Sequence, residues 1–204
     1  MPQLPWRVPA LIETDRLVLR CYSPDDVEAM DEVIPANRDH LLEFMAWAQG
    51  EPIGIEARRT LVERFISGYK EGSDFTLGMF LRESGAYVGG TGFHVREDHL
   101  EIGYWIAADR EGQGLVTEST AALTRVALQF ASAPFVAVCC DPANERSRRV
   151  PIRLGYSLAG MREVDGVEHE QYRLTQEAFL DSPASAEPRP RLYDGIGSPL
   201  SWPV

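Results

Sequence analysis

Glu101-Ile-Gly-Tyr-Trp-Ile106, continuing as Ala107-Ala-Asp-Arg110-Glu-Gly112-Gln-Gly114-Leu-Val-Thr117-Glu118, is the stretch that decides the fold. A strand-like run enters a turn with glycines at 112 and 114, and the turn opens directly into the longest helical pattern of the chain, Leu115–Phe130. Glycines let backbone N–H groups converge without Cβ atoms in the way, and a helix start adds unpaired donors and a positive dipole end. The pattern predicts a turn able to cradle a pyrophosphate. It is equally met by a tight glycine turn that only starts a helix. A P-loop is excluded, because no Gly-Lys-Ser/Thr follows. A dinucleotide fingerprint fits poorly, since Thr117 stands where its third glycine belongs and the preceding strands read as hairpins.

Working outward, Phe75–Leu81, Ala86–Val95 and His99–Ile106 alternate like strands and are spaced as an antiparallel meander. On the N-terminal side, the apolar run Leu17–Cys21 closes at Ser23-Pro24. With Asp25 and Asp26 these start a helix over about 24–34. Helices are expected at Asn37–Trp47 and Ile55–Tyr69. On the C-terminal side follow a buried strand at Phe135–Cys140, a helix at Asn144–Leu154 ended by Gly155, and strands at Leu158–Val164 and Val167–Leu174 around Asp165-Gly166. Thr175 then caps a short helix. The reading is an α+β (α/β) single domain over residues 1–181, a mixed, mostly antiparallel central sheet flanked by helices. Residues 182–204 hold five prolines and no amphipathic period, and read as a tail. That tail is expected either to lack order or to pack on a second subunit of a homodimer through Leu192, Tyr193 and Trp202.

The composition narrows the partners. The chain has 204 residues, 44% of them hydrophobic and 25% charged, with 20 Lys+Arg against 31 Asp+Glu, a net charge of −11. That argues against binding to nucleic acid or to an anionic membrane, and no apolar run is long enough for a spanning helix. Met1–Ala10 carries three prolines and no apolar centre, so it does not read as a signal peptide. Cys21, Cys139 and Cys140 cannot all pair and read as buried thiols of a reducing cytoplasm. The four histidines (40, 94, 99 and 169) are scattered, so no metal is expected.

Taken in order, strand IGYWI, loop DREGQGLVTES, long helix, buried strand, Asn144-Glu-Arg-Ser147 and Leu154-Gly155-Tyr156 resemble the GNAT acyl-CoA N-acyltransferases. The opening strand Ile12-Glu-Thr-Asp-Arg-Leu-Val-Leu-Arg20 and the helix from Asn37-Arg-Asp-His-Leu41 to Trp47 resemble the Rim-type branch, which includes N-terminal acetyltransferases of ribosomal proteins. The resemblance spans about residues 11–180. It implies acetyl-CoA as cosubstrate and direct attack by an amine acceptor. Tyr104, Trp105, Ile106, Arg110, Gly112, Gln113, Gly114, Leu115, Val116, Thr117, Asn144 and Ser147 are then the expected cofactor contacts, and a backbone N–H along Tyr104–Ile106 the donor to the oxyanion. Two departures stand out: Glu111, where the family has Gln or Arg, and Val116, where it has Gly or Ala.

An amine protonated at pH 7 must lose a proton, and the departing thiolate must gain one. For the base, Glu101 occupies a place the family often gives to a carboxylate, and Glu170 is a second candidate. Each is equally read as a surface charge, and a water chain is the alternative. For the acid, the tyrosine many members carry seven residues after the motif Asn is replaced by Pro151; the resemblance to the Rim-type branch implies instead a serine three residues after that Asn, a place Ser147 occupies. Pro151 also lacks the N–H that would bond the Ser147 carbonyl. Trp47 and Trp105 are the candidate walls of an acceptor pocket. Arg146, Arg148, Arg149 and Arg153 form a local basic cluster that either meets the phosphates or is a solvated face. The acidity of the rest suits a cationic acceptor, a basic protein N-terminus or a polyamine. A small-molecule amine acetyltransferase and a non-catalytic acyl-CoA-binding module are the competing readings.

Overall fold

The computed structural model describes residues 6–164 and 166–203; Asp165 of the expected turn and the opening Met1–Pro5 lie outside them. The strands are β1 (Leu11–Glu13), β2 (Leu17–Cys21), β3 (Asp74–Leu81), β4 (Tyr87–Val95), β5 (Leu100–Ile106), β6 (Phe135–Cys140), β7 (Ser157–Val164), β8 (Val167–Thr175), β9 (Arg191–Tyr193) and β10 (Pro199–Leu200). They form one sheet in the order β10-β9-β1-β2-β3-β4-β5-β6-β8-β7. Every pairing is antiparallel except β5 with β6.

Helices cover both faces. On one lie α1 (Val27–Ala36), α2 (Arg38–Leu42) and α3 (Ile55–Glu71), burying Val27, Met30, Ile34, Leu41 and Val62 against Tyr22, Phe80 and Tyr87. On the other lie α4 (Leu115–Arg125), drawn out by a π-helical turn through Phe130, and α5 (Glu145–Arg153). There Leu115, Leu123, Val126 and Val150 pack on Leu100, Ile102, Val136 and Val138 of the central strands. The sides of β5 and β6 that face α4 and α5 are correspondingly apolar. Short helices α6 (Gln176–Phe179) and α7 (Pro183–Ala186) follow β8, the first capped by Thr175 Oγ1, which accepts from the Ala178 N–H at 3.2 Å.

Two expectations are corrected. The helix expected over 37–47 stops at Leu42, and the chain continues through a turn into a 3-10 segment, Ala46–Gly50. More consequentially, the segment read as a tail adds two strands to the sheet. β9 pairs with β1 through Leu11↔Tyr193, Ile12↔Leu192 and Glu13↔Arg191, and β10 pairs with β9. Leu192 is buried beside Ile12, and Trp202 meets Phe130 edge-on with centroids 6.2 Å apart. The Arg125 guanidinium donates to the carbonyls of Ser185 (2.7 Å) and Glu187 (3.0 Å), anchoring the crossover. The apolar residues expected to reach a partner are thus spent on this chain's own edge strand. Prolines at 183, 188, 190 and 199 fall in the connections and at element ends, where a missing N–H is tolerated.

Candidate active site

The site begins where β5 and β6 part. Their parallel register covers Leu100↔Val136, Glu101↔Ala137 and Ile102↔Val138 and then ends, while β5 runs on to Ile106 and β6 to Cys140. Beyond the fork the side of β5 that faced β6 has no ladder partner among the described residues. The alternation of β5 sends Tyr104 toward α5 and Trp105 toward the α1–α3 face.

The turn that follows is built as expected. Gly112 (φ 71°) and Gly114 (φ 77°) are both left-handed, and Gly114 precedes the first residue of α4. The turn is held from two sides. Arg16, between β1 and β2, donates from Nη1 to the Gln113 carbonyl (2.8 Å) and from Nε to Glu118 (2.6 Å); the Ala108 N–H donates to Asn37 Oδ1 (2.8 Å).

Between this turn, the fork, α2 and α5 lies a cleft of about 290 Å³. Of the expected contacts, Tyr104, Trp105, Ile106, Arg110, Gly112, Gly114, Leu115, Val116, Thr117, Asn144 and Ser147 line it. Gln113 does not: its side chain turns back and donates to the Asp109 carbonyl at 3.0 Å. The arginine cluster divides by helical period. Arg146, Arg149 and Arg153 face the cleft with Val150, whereas Arg148 points away to Glu170. His40, Glu43, Phe44 and Met45 complete the wall from α2 and its exit. Trp47 is outside the lining, 48% exposed, with its ring edge-on to Trp105 at 6.1 Å.

Glu111, the acidic departure in the turn, does not face inward among the backbone N–H groups. Its carboxylate pairs with Arg146 across the cleft and lies 3.7 Å from His40 Nε2. The carboxylate thereby fixes a cation at the cleft mouth. Glu111→Ala is expected to raise the KM for an anionic cosubstrate about threefold with kcat unchanged, since the loss falls on ground-state binding; steady-state rates against that cosubstrate check it.

Ser147 lies among polar partners at the foot of α5. Its backbone N–H donates to Asn144 Oδ1 at 3.0 Å, so Asn144 is the cap of α5. Its hydroxyl donates to the Tyr104 hydroxyl at 3.1 Å and lies 3.3 Å from Cys140 Sγ. Burial pushes the Tyr104 phenol and the Cys140 thiol above their ordinary values, and burial with the nearby Glu101 carboxylate pushes Cys139 up to about 11.

The two glutamates are not brought to the cleft lining. Glu101, 5% exposed, lies on the Trp105 face of β5, where Arg96 donates to one oxygen at 2.7 Å and Arg162 to the other. Burial raises its carboxyl, but the Arg96 hydrogen bond and the charges of Arg96 and Arg162 outweigh that and leave it below its ordinary value. Glu170, on β8, accepts from the Tyr172 hydroxyl (2.6 Å) and from Arg148 (2.6 and 3.1 Å), which lower its carboxyl in that order. Both carboxyls are thus held below their ordinary values, and both are paired with arginine.

A forked parallel pair above a glycine turn at a helix start, inside a mostly antiparallel sheet, defines a class of group-transfer enzyme. Residues 16–157 match the family described as the acetyltransferase (GNAT) domain, and the chain belongs to the GNAT acetyltransferases. Relatives include YdaF of Bacillus subtilis, 27% identical over 163 residues (76% of this chain, 88% of that protein). Another is the Escherichia coli ribosomal protein uS5-alanine N-acetyltransferase, 28% identical over 157 residues (73% and 79%). The structure of RimL, a ribosomal L7/L12 α-N-protein acetyltransferase solved with coenzyme A, shares the fold with a TM-score of 0.72 at 22% identity, covering 84% of this chain and 98% of that one.

Proposed function

We propose that this acetyltransferase moves an acetyl group from acetyl-CoA to the α-amine of a protein or peptide N-terminus, by direct attack within a ternary complex. The observation that carries this is the fork: unpaired backbone of β5 leads from the glycine turn at one end of the cleft to Ser147 at the other. The residues fit the cosubstrate. The first-turn N–H groups of α4 with Gly112 and Gly114 suit a pyrophosphate, Arg110, Arg146, Arg149 and Arg153 supply cations, and the open edge of β5 suits an amide-bearing arm.

Acetyl-CoA supplies a thioester acetyl group: the amine nitrogen bonds to its carbonyl carbon, the carbon–sulfur bond breaks, nitrogen loses a proton and sulfur gains one. A backbone N–H of Tyr104–Ile106, on the side β6 has left, donates to the developing oxyanion. The Ser147 hydroxyl delivers a proton to the sulfur. The amine's first proton leaves through water, because Glu101 and Glu170 are each engaged by arginine outside the cleft. Cys139 and Cys140, both held protonated, are poor nucleophiles, which favours direct transfer over an acyl-cysteine. The acceptor enters past Phe44, Met45 and Trp105, where Glu43 adds an acidic group suited to a cationic N-terminus.

The test offers acetyl-CoA with a peptide bearing a free N-terminus, the same peptide blocked, a polyamine and an amino acid, and reads intact mass and released thiol. Acetylation of the free peptide alone, one thiol per acetyl group, is expected. Acetylation confined to the small amines would establish the small-molecule reading. Thermal stabilisation by coenzyme A with no thiol release from any acceptor would establish a binding module.

A further inference from the structure

In a regular helix the Ser147 carbonyl accepts the N–H four residues on, but residue 151 is proline and has none. The Tyr104 hydroxyl takes the vacant place, donating to the Ser147 carbonyl at 3.0 Å. Its oxygen in turn accepts from the Ser147 hydroxyl at 3.1 Å. A phenol has one proton. With that proton committed to the carbonyl, Tyr104 can offer Ser147 only an acceptor, and it does so from the forked part of β5, which it joins to the first turn of α5. Among the described residues, the only other side-chain atom hydrogen-bonded to Ser147 Oγ is Cys140 Sγ, itself 4.0 Å from the Tyr104 hydroxyl.

We infer that Tyr104 is the positioning residue for the Ser147 hydroxyl, and that Pro151 installs it by leaving the Ser147 carbonyl open. The inference rests on the reading of Ser147 as the proton donor to sulfur. In the resting cleft the Ser147 proton lies on the Tyr104 oxygen, a weak neutral acceptor that fixes the rotamer and leaves the other side of the serine oxygen facing the cleft. A thiolate forming there is the stronger acceptor and draws the same proton by rotation of the hydroxyl. The serine oxygen then regains a proton from the substituted amine nitrogen. Nitrogen ends one proton poorer, sulfur one richer, and serine and tyrosine unchanged.

Four variants test this in steady-state assays with both substrates varied, each checked for folding by its melting temperature. Tyr104→Phe removes one hydroxyl and keeps the ring; it is expected to lower kcat about tenfold with the KM for acetyl-CoA changed by less than about twofold. Pro151→Ala restores an N–H that competes with Tyr104 for the carbonyl. It is expected to lower kcat about threefold while leaving the melting temperature equal or higher, a split that a purely structural role would not give. The double variant Tyr104→Phe/Ser147→Ala is expected to be no slower than Ser147→Ala alone, because both act on one proton. Wild-type kcat in Tyr104→Phe, or a double variant whose loss is the product of the two single losses, would overturn the positioning role. Should Tyr104→Phe not fold, unchanged kcat in Pro151→Ala overturns it. Impaired Ser147→Ala beside unaffected Tyr104→Phe rejects only the positioning role, whereas full activity in Ser147→Ala rejects the reading of the serine and this inference together.

Discussion

Ser147→Ala is expected to lower kcat about 30-fold, a loss of about 2 kcal/mol of transition-state stabilisation, with the KM for acetyl-CoA changed by less than about twofold. The substitution is clean because the serine serves the fold through its backbone. The N–H that satisfies Asn144 Oδ1 survives in alanine, and so does the carbonyl that holds Tyr104. Only the bonds of the hydroxyl to Tyr104 and Cys140 disappear. A proton delivered late, to a sulfur that is neutral in the ground state, is needed in the transition state and hardly before it, so the loss belongs in kcat. Initial rates with both substrates varied, read by thiol release, check this. A raised KM with unchanged kcat would make Ser147 a binding contact instead.

The largest effect on stability is expected at Glu51. Arg58, on α3, is fully buried, and its Nη2 donates to Glu51 Oε2 at 2.5 Å; Asp31 lies farther from its Nε, at 3.4 Å, and Nη1 has no partner among the described residues. Removing the carboxylate leaves a buried guanidinium nearly alone, so Glu51→Ala should cost about 4 kcal/mol and lower Tm by about 12 °C. Glu51→Gln, which keeps an acceptor and loses the charge, should cost about half as much. The same glutamate accepts from Arg38 Nε through its carbonyl (2.8 Å), tying α2 to the strand-like exit of the 3-10 segment. Loosening it should also raise the acceptor KM, because Phe44 and Met45 of the cleft wall lie between these anchors. Thermal melts and acceptor titrations of the two variants check both halves.

Much of the central fold was legible because its signals are local. The glycine turn, the start of α4 and the run Phe135–Cys140 follow from patterns within a few residues, and β6 has those bounds in the structure. The expected sheet with helices on both faces follows from the same periods. What the sequence concealed depends on distant partners. Nothing near Leu192 announces Ile12, the strand partner it completes, so a proline-rich segment looked like a tail. Nothing near Glu101 announces Arg162, on β7, so a strand carboxylate looked available for catalysis. Two features were legible in principle. The helical period of α5 separates Arg146, Arg149 and Arg153 from Arg148 without any structure, and Pro151 marks the Ser147 carbonyl as open, although not that Tyr104 would fill it.

Direct transfer requires both substrates to be held together in the cleft at the fork of β5 and β6. Initial rates measured over a matrix of acetyl-CoA and free-N-terminus peptide concentrations test it most directly. Double-reciprocal lines that intersect are the result expected for a ternary complex. Parallel lines, the signature of an acetyl group parked on the protein before the amine arrives, would contradict it.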